Sequence, residues 1–271
     1  MFFDLLPETG LACAHRGARS LAPENTLMAA QKAVDCGARC WETDAHMTAD
    51  GRIAIFHDET LERTTDIAGH PEFRDRRDIH HFTLAELRTL DAGSWFLAAD
   101  PYGTVASGEV PESDHPAIRA QVIPTLREAL DFTVRHNLPM NLEIKDQTGH
   151  AGHDTIVRAV LDLVHEARAA HLLLLSSFNH DYLVQAKRLA PGIPTAALQE
   201  EQHPENLVDY LRSLGAAAYH PDHRITTPEL VRELSEAGLF VNLWTVNDMD
   251  RARMFIRAGA KAIITDFPQR M

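Results

Sequence analysis

The chain is poor in the residues that would support several common functions. It has three cysteines, Cys13, Cys36 and Cys40, an odd number without zinc-type spacing. Cys13 and Cys40 lie in apolar runs that suit small core residues. Basic residues are outnumbered, 26 Lys and Arg against 39 Asp and Glu, for a formal net charge of −13. That balance argues against non-specific binding to nucleic acid or anionic lipid, so an anionic ligand would need a local positive centre. No apolar run approaches a membrane span. The stretch from Met1 to Leu11 has no basic start and is broken by Asp4, Pro7 and Glu8, unlike an export signal. No glycine-rich dinucleotide loop follows an apolar run, and no Gly-x-Ser-x-Gly elbow occurs. The expected setting is cytoplasmic and reducing.

What is present is a long alternation of short apolar runs and helix-period segments. Strands are expected at Leu11–Ala14, Arg39–Asp44, Met140–Ile144, Leu172–Ser176, Thr195–Leu198, Ala216–Tyr219, Phe240–Trp244 and Ala262–Thr265. Helices are expected at Thr26–Cys36, Thr125–His136, Asp154–Ala169, Asp181–Leu189, Pro204–Leu214, Pro228–Ala237 and Asp248–Ala258, with Asn25 or Thr26 capping the first. Ile53–Phe56 reads as the returning arm of a hairpin turned at Asp50-Gly51. Eight strands joined by seven helical crossovers predict an α/β protein, a closed (β/α)8 TIM barrel, over an open doubly wound sheet. Residues 59 to about 120 break the rhythm, with a helix-like Leu84–Leu90 and a Gly/Pro/Ser-rich tract around Pro101 to Pro116. We read residues 1–271 as one barrel domain carrying that segment as an insertion, since a structureless loop of that length would be unusual.

In such barrels the C-terminal ends of the strands form the active face. His15-Arg16-Gly17, Glu42-Thr43-Asp44, Glu143-Ile144-Lys145, Ser176-Ser177-Phe178, Trp244-Thr245 and Thr265-Asp266 all fall there. Glu42 and Asp44 are two apart and point to one side of their strand. A hairpin centred between Asp50 and Gly51 would set Asp44 opposite His57, placing two hard oxygen ligands beside an acid–base group. The plain alternative is a pair of surface carboxylates and an idle histidine. Glu143 would complete an all-oxygen site for one divalent cation, Mg2+ or Ca2+. Lys145 shares its face and serves either an anion or a salt bridge closing the barrel. Arg16 offers a planar fork to phosphate or carboxylate, or else a rim ion pair.

Taken in order, His15-Arg16-Gly17, Pro23-Glu24-Asn25-Thr26, Glu42-Thr43-Asp44, His57-Asp58 and Asn141-Leu142-Glu143-Ile144-Lys145 resemble the motifs of the glycerophosphodiester phosphodiesterase family, closest to its cytoplasmic bacterial members. Leu61-Glu62-Arg63-Thr64, Leu90-Asp91-Ala92-Gly93-Ser94-Trp95 and the later strand ends extend the match across nearly the whole chain. The resemblance implies a metal held by Glu42, Asp44 and Glu143, acid–base chemistry at His15 and His57, and phosphate contacts from Arg16 and Lys145. It makes the segment after His57 a cap that reads the glycerol end of the substrate, with Phe178 and Trp244 either lining the glycerol pocket or belonging to the core. Glu24 and Asn25 either brace His15 or only open the first helix; Asp58 either orients His57 or is a turn residue.

The implied reaction splits a glycerophosphodiester, such as glycerophosphocholine or glycerophosphoethanolamine, into glycerol 3-phosphate and an alcohol. The attacking hydroxyl is that of water or the 2-hydroxyl of glycerol, through a cyclic phosphate. The family leaning is His57 as acid. The expected partner is this small molecule, with no nucleic acid or membrane insertion, in a monomer or homodimer. Competing readings are a sphingomyelinase-D-like phospholipase, disfavoured by the acidic chain without an export signal or basic amphipathic stretch, and a non-catalytic barrel binding a phosphorylated ligand, which would be expected to lack a histidine or metal carboxylate.

Overall fold

The computed structural model describes residues 2–7 and 10–271. Nine strands form one sheet: β1 (Leu11–Ala14), β2 (Cys40–Met47), β3 (Ile53–Ile55), β4 (Met140–Ile144), β5 (Leu173–Ser177), β6 (Thr195–Gln199), β7 (Ala218–Pro221), β8 (Phe240–Leu243) and β9 (Ala262–Thr265). β3 pairs antiparallel to β2; the other eight run parallel, and β1 pairs with both β9 and β2, so the barrel is closed. The chain is therefore a (β/α)8 barrel, as the alternation predicts.

The crossover helices are α1 (Leu27–Asp35), α5 (Leu126–His136), α6 (Ile156–Glu166), α7 (His180–Leu189), α8 (Leu207–Leu214), α9 (Pro228–Glu236) and α10 (Met249–Arg257). Their starts follow side-chain chemistry. Thr26 Oγ1 accepts from Ala29 N, and Thr125 with Glu128 forms a reciprocal capping box on α5. Their apolar faces pack on the barrel's outer side; Trp41, fully buried there, donates Nε1–H to Thr133 Oγ1 at 2.9 Å. Inside the barrel floor, small residues such as Cys13, Cys40, Ala196 and Ala218 leave room for Phe2 and Phe3, which plug it from below. The thiols of Cys13 and Cys40 face each other across β1 and β2, 3.1 Å apart.

Several boundaries differ from expectation: β2 runs on to Met47 rather than ending at Asp44, and α8 begins at Leu207 rather than Pro204. β7 begins at Ala218 rather than Ala216, because Gly215 (φ +67°) and Ala216 still close α8, with Ala216 N–H donating to Leu211 O. α6 stops at Glu166, where Ala169 N–H returns to Val164 O and Arg168 adopts a left-handed φ of +54°. The hairpin register is also shifted: Ala45 faces Ile55, so Asp44 stands opposite Phe56, not His57. The turn is a three-residue loop, Ala49-Asp50-Gly51, with Thr48 N–H donating to Arg52 O and Gly51 at φ +71°. A two-residue turn would have moved every partner by one.

Between β3 and α5 the chain forms short 3-10 turns and the small helices α2 (Leu84–Leu87), α3 (Ser94–Ala99) and α4 (His115–Arg119). The segment fills two apolar clusters of its own, one around Leu61, Ile67, Ile79, Phe82 and Leu90, the other around Phe96, Val110 and Ile118. No helix among the described residues is long and apolar enough to cross a membrane.

Two histidines inside this frame are held neutral. His46 on β2 and His220 on β7 are 1% and 0% exposed, and burial pushes both imidazoles down to about 3. Unfolded, they titrate near 6.5. Between about pH 3 and 6.5 the unfolded chain therefore binds more protons, and stability falls as pH is lowered. We expect the Tm to drop steadily from pH 7 to pH 4 and to be nearly flat from pH 7 to 8. A Tm independent of pH down to 4 would contradict this.

Candidate active site

The mouth of the barrel is assembled from strand ends, beginning with the loop after β1. His15 leaves the strand, and Arg16 and Gly17 turn back with φ of +53° and +80°. A Cβ on Gly17 would lie 2.5 Å from the Ala29 carbonyl carbon, so only glycine lets this turn press on α1. The turn aims Arg16 N–H at Glu42 Oε2, 2.9 Å away, and its guanidinium at Glu24 Oε1, 2.7 Å away.

Glu42 and Asp44 from β2 and Glu143 from β4 converge as their spacing predicts. All three are buried, and each offers an oxygen such that these atoms lie within 4.8 Å of one another. Like charges this close raise Glu42 well above the usual carboxylate range: burial contributes most, then Asp44 and Glu143. Burial also raises Glu143, partly offset by Lys145, whose Nζ sits 2.7 Å from its Oε1. Burial would raise Asp44 too, but the charges of His57, Lys145 and Arg16 outweigh it and hold the carboxyl low. Asp44 Oδ1 is buried without a hydrogen-bond donor. Three hard oxygens, one of them unpartnered, fit a divalent cation.

The two predicted histidines flank this cluster. His15 Nδ1 donates to Asp266 Oδ1 at 2.7 Å, which leaves Nε2 unprotonated and 4.0 Å from Glu42 Oε2. Burial and the Arg16 charge lower His15 to about 4, against the pull of Asp266. His57 Nδ1 donates to Asp58 Oδ1 at 2.6 Å. His15, Arg16, Glu42, His57, Glu143 and Lys145 line one cavity of about 420 Å³. Phe178 and Trp244 form its far wall with their rings edge to face at 5.6 Å, joined by Ser176 and Glu200.

Glu24 and Asn25 do neither of the things expected of them. Glu24 does not touch His15; it accepts from Arg16, Arg19 and Arg63, and these guanidinia hold it well below the usual range despite its burial. Asn25, at φ +57°, donates Nδ2–H to Asp44 Oδ2 at 2.8 Å and accepts from Thr43 Oγ1 at 2.7 Å. Thr26 alone caps α1. Other contacts at the mouth are set only by the fold. Asp266 was visible as the polar end of β9, yet its role as the partner of His15 depends on barrel closure. Arg63 bridges Glu24 and Asp58. His46 Nε2 donates to the His57 carbonyl at 3.0 Å, anchoring that loop from beneath.

Fold and site together define a (β/α)8-barrel protein with an acidic, cation-accepting mouth. The family model described as glycerophosphoryl diester phosphodiesterase matches residues 15–270. A glycerophosphodiester phosphodiesterase of Caldanaerobacter subterraneus is 32% identical over 259 residues, 96% of this chain and 95% of its own. A glycerophosphodiester phosphodiesterase of Bacillus subtilis is 29% identical over 272 residues, 97% of this chain and 86% of its own. Among solved structures, an Oleispira antarctica phosphodiesterase in complex with the product sn-glycerol-3-phosphate superposes with a TM-score of 0.82 at 30% identity, covering 99% of this chain and 96% of that one. The chain belongs to the glycerophosphoryl diester phosphodiesterase family, and so to the phosphoric diester hydrolases.

The contact with Asp266 sets the tautomer of His15, and losing such an orienting carboxylate typically costs about 10- to 100-fold. Asp266→Asn should lower phosphodiesterase turnover by about that factor in a protein that stays folded by circular dichroism. Turnover at the unsubstituted level would show that Asp266 does not position His15.

Proposed function

We propose that this protein is a metal-dependent hydrolase of glycerophosphodiesters, releasing glycerol 3-phosphate and an alcohol. The observation that carries the reading is the convergence of Glu42, Asp44 and Glu143 between two imidazoles whose Nδ1 atoms are each held by a carboxylate. Glu42, Asp44 and Glu143 would hold Mg2+ or Ca2+, which when bound supplies positive charge to the phosphoryl oxygens and the attacking oxygen. Arg16 and Lys145 add fixed cations on the same wall, where negative charge grows as phosphorus is attacked.

His15, neutral and with Nε2 unprotonated, suits the general base that takes the proton of the attacking hydroxyl, whether of water or of the glycerol 2-position. His57 is then the acid that protonates the departing alkoxide, with Asp58 fixing its ring. The glycerol end packs against Phe178 and Trp244; no residue of the 59–120 segment lines this cavity among the described residues, so the expected reading of the glycerol by that segment has no contact behind it here. Glu200 lines the same cavity and adds an anionic point apart from the carboxylates of the cation cluster. That favours diesters with a cationic head group, glycerophosphocholine or glycerophosphoethanolamine. The protein's action is placed in the cytoplasm, on a small soluble substrate, as a monomer or homodimer.

A coupled assay for glycerol 3-phosphate should show release from glycerophosphocholine, abolished by EDTA and restored by Mg2+ or Ca2+. Full turnover in chelator would remove the metal from the mechanism. In the same assay His15→Ala and His57→Ala should each lose about 10^2- to 10^4-fold in rate while remaining folded. Near-normal activity in either would mean that its role is misassigned.

A further inference from the structure

A second group of metal-type ligands lies outside the catalytic mouth, behind His57. Asp78 and His80 come from the short 3-10 turn Ile79–His81 and its cap, within the segment after β3. His150 comes from the loop after β4, seventy residues further along the chain. Each offers one ligand atom, and the three atoms lie within 4.8 Å of one another. The two imidazoles are stacked, with centroids 3.8 Å apart. Packing alone accounts for the stacking, but not for the state of His80. Its Nδ1 donates to the Met47 carbonyl at 3.2 Å, so its Nε2 carries a lone pair. That nitrogen is buried and has no donor. A buried acceptor left without a partner costs free energy unless something fills it.

We propose that Asp78, His80 and His150 form a second cation site that takes a borderline transition-metal ion of the Zn2+ class, with water completing its coordination. Two imidazoles and one carboxylate suit Zn2+ or Co2+ far better than Mg2+ or Ca2+, which prefer the all-oxygen cluster at the mouth. Tetrahedral ligation sets the donors about 3.4 Å apart and requires the ion to lie in the plane of each ring, so His150 would turn out of its stack on His80 as the ion binds. The bound ion clasps the segment after β3 to the loop after β4. It does so directly behind the catalytic hairpin, since His80 holds Met47 O while the adjacent His46 holds His57 O. His46 and His80 are themselves in ring contact at 5.2 Å. The site does not depend on the phosphodiesterase reading.

The test uses untagged protein stripped of metal and then kept in excess Mg2+, which occupies the oxygen cluster. Titration with Co2+, followed by its visible absorption, and with Zn2+, followed by calorimetry, should each show one equivalent bound. His150→Ala and Asp78→Asn should each weaken that binding at least about tenfold, and Zn2+ should raise the Tm of the unsubstituted protein but not of the His150→Ala protein. Absence of binding in the unsubstituted protein, or binding in either variant as tight as in the unsubstituted protein, would overturn the assignment.

Discussion

Mutual repulsion among Glu42, Asp44 and Glu143 is the constraint to which the mouth of this barrel answers. Two unit charges 4 Å apart interact by roughly 4 kcal/mol at an effective dielectric of 20, and three carboxylates are brought together here out of water. No single counter-ion resolves it. Arg16 reaches Asp44 from one side through Nε at 3.5 Å, and Lys145 reaches both Asp44 and Glu143 from the other. Asn25 and the Arg16 backbone amide add neutral donors. The closed parallel sheet makes this tolerable, because β1, β2 and β4 are held side by side by backbone pairing that does not depend on the charges.

The surrounding polar residues form a second layer with its own logic. Glu24 is the anionic hub for Arg16, Arg19 and Arg63, and Arg63 passes the connection to Asp58 and hence to His57. Asp266 holds His15 and is held in turn by Asn247. The two imidazoles are thus anchored from opposite edges of the mouth, one by the last strand and one by the inserted segment. Each ring is fixed by a carboxylate that is itself held by a further residue, which limits the reorganisation needed when a ligand enters.

Much of this was legible in the chain. Strand and helix order followed from periodicity, because each element of a (β/α)8 barrel carries a local pattern. Glu42, Asp44, Glu143 and Lys145 were legible because alternation along a strand fixes which side each faces. Partners were not legible where they come from remote segments: Asp266 to His15 spans 251 positions and joins the two ends of the barrel, and Gln147 supports His46 across 101. The choice between Asn25 and Thr26 as the cap of α1 was not legible, because a polar residue at either position before a helix can cap it. Here a left-handed backbone turns the Asn25 amide inward to Asp44, and Thr26 takes the cap. The hairpin register was missed by one because a single left-handed Gly51 can close either a two- or a three-residue loop.

The returning arm of that hairpin limits how this protein can vary in length. Phe56 is buried against the inserted segment while the neighbouring His57 opens into the catalytic cavity. Adjacent residues of an extended chain face opposite ways, so removing or adding one residue between Ile53 and Phe56 would exchange their places, setting an imidazole in the apolar cluster and a phenyl ring over the carboxylates. The bend at Ala49-Asp50-Gly51 is free of that restriction, because a residue gained or lost there alters only the loop and leaves the paired residues in phase. Divergence in length is therefore expected to collect at the bend and to spare the three residues that follow Arg52.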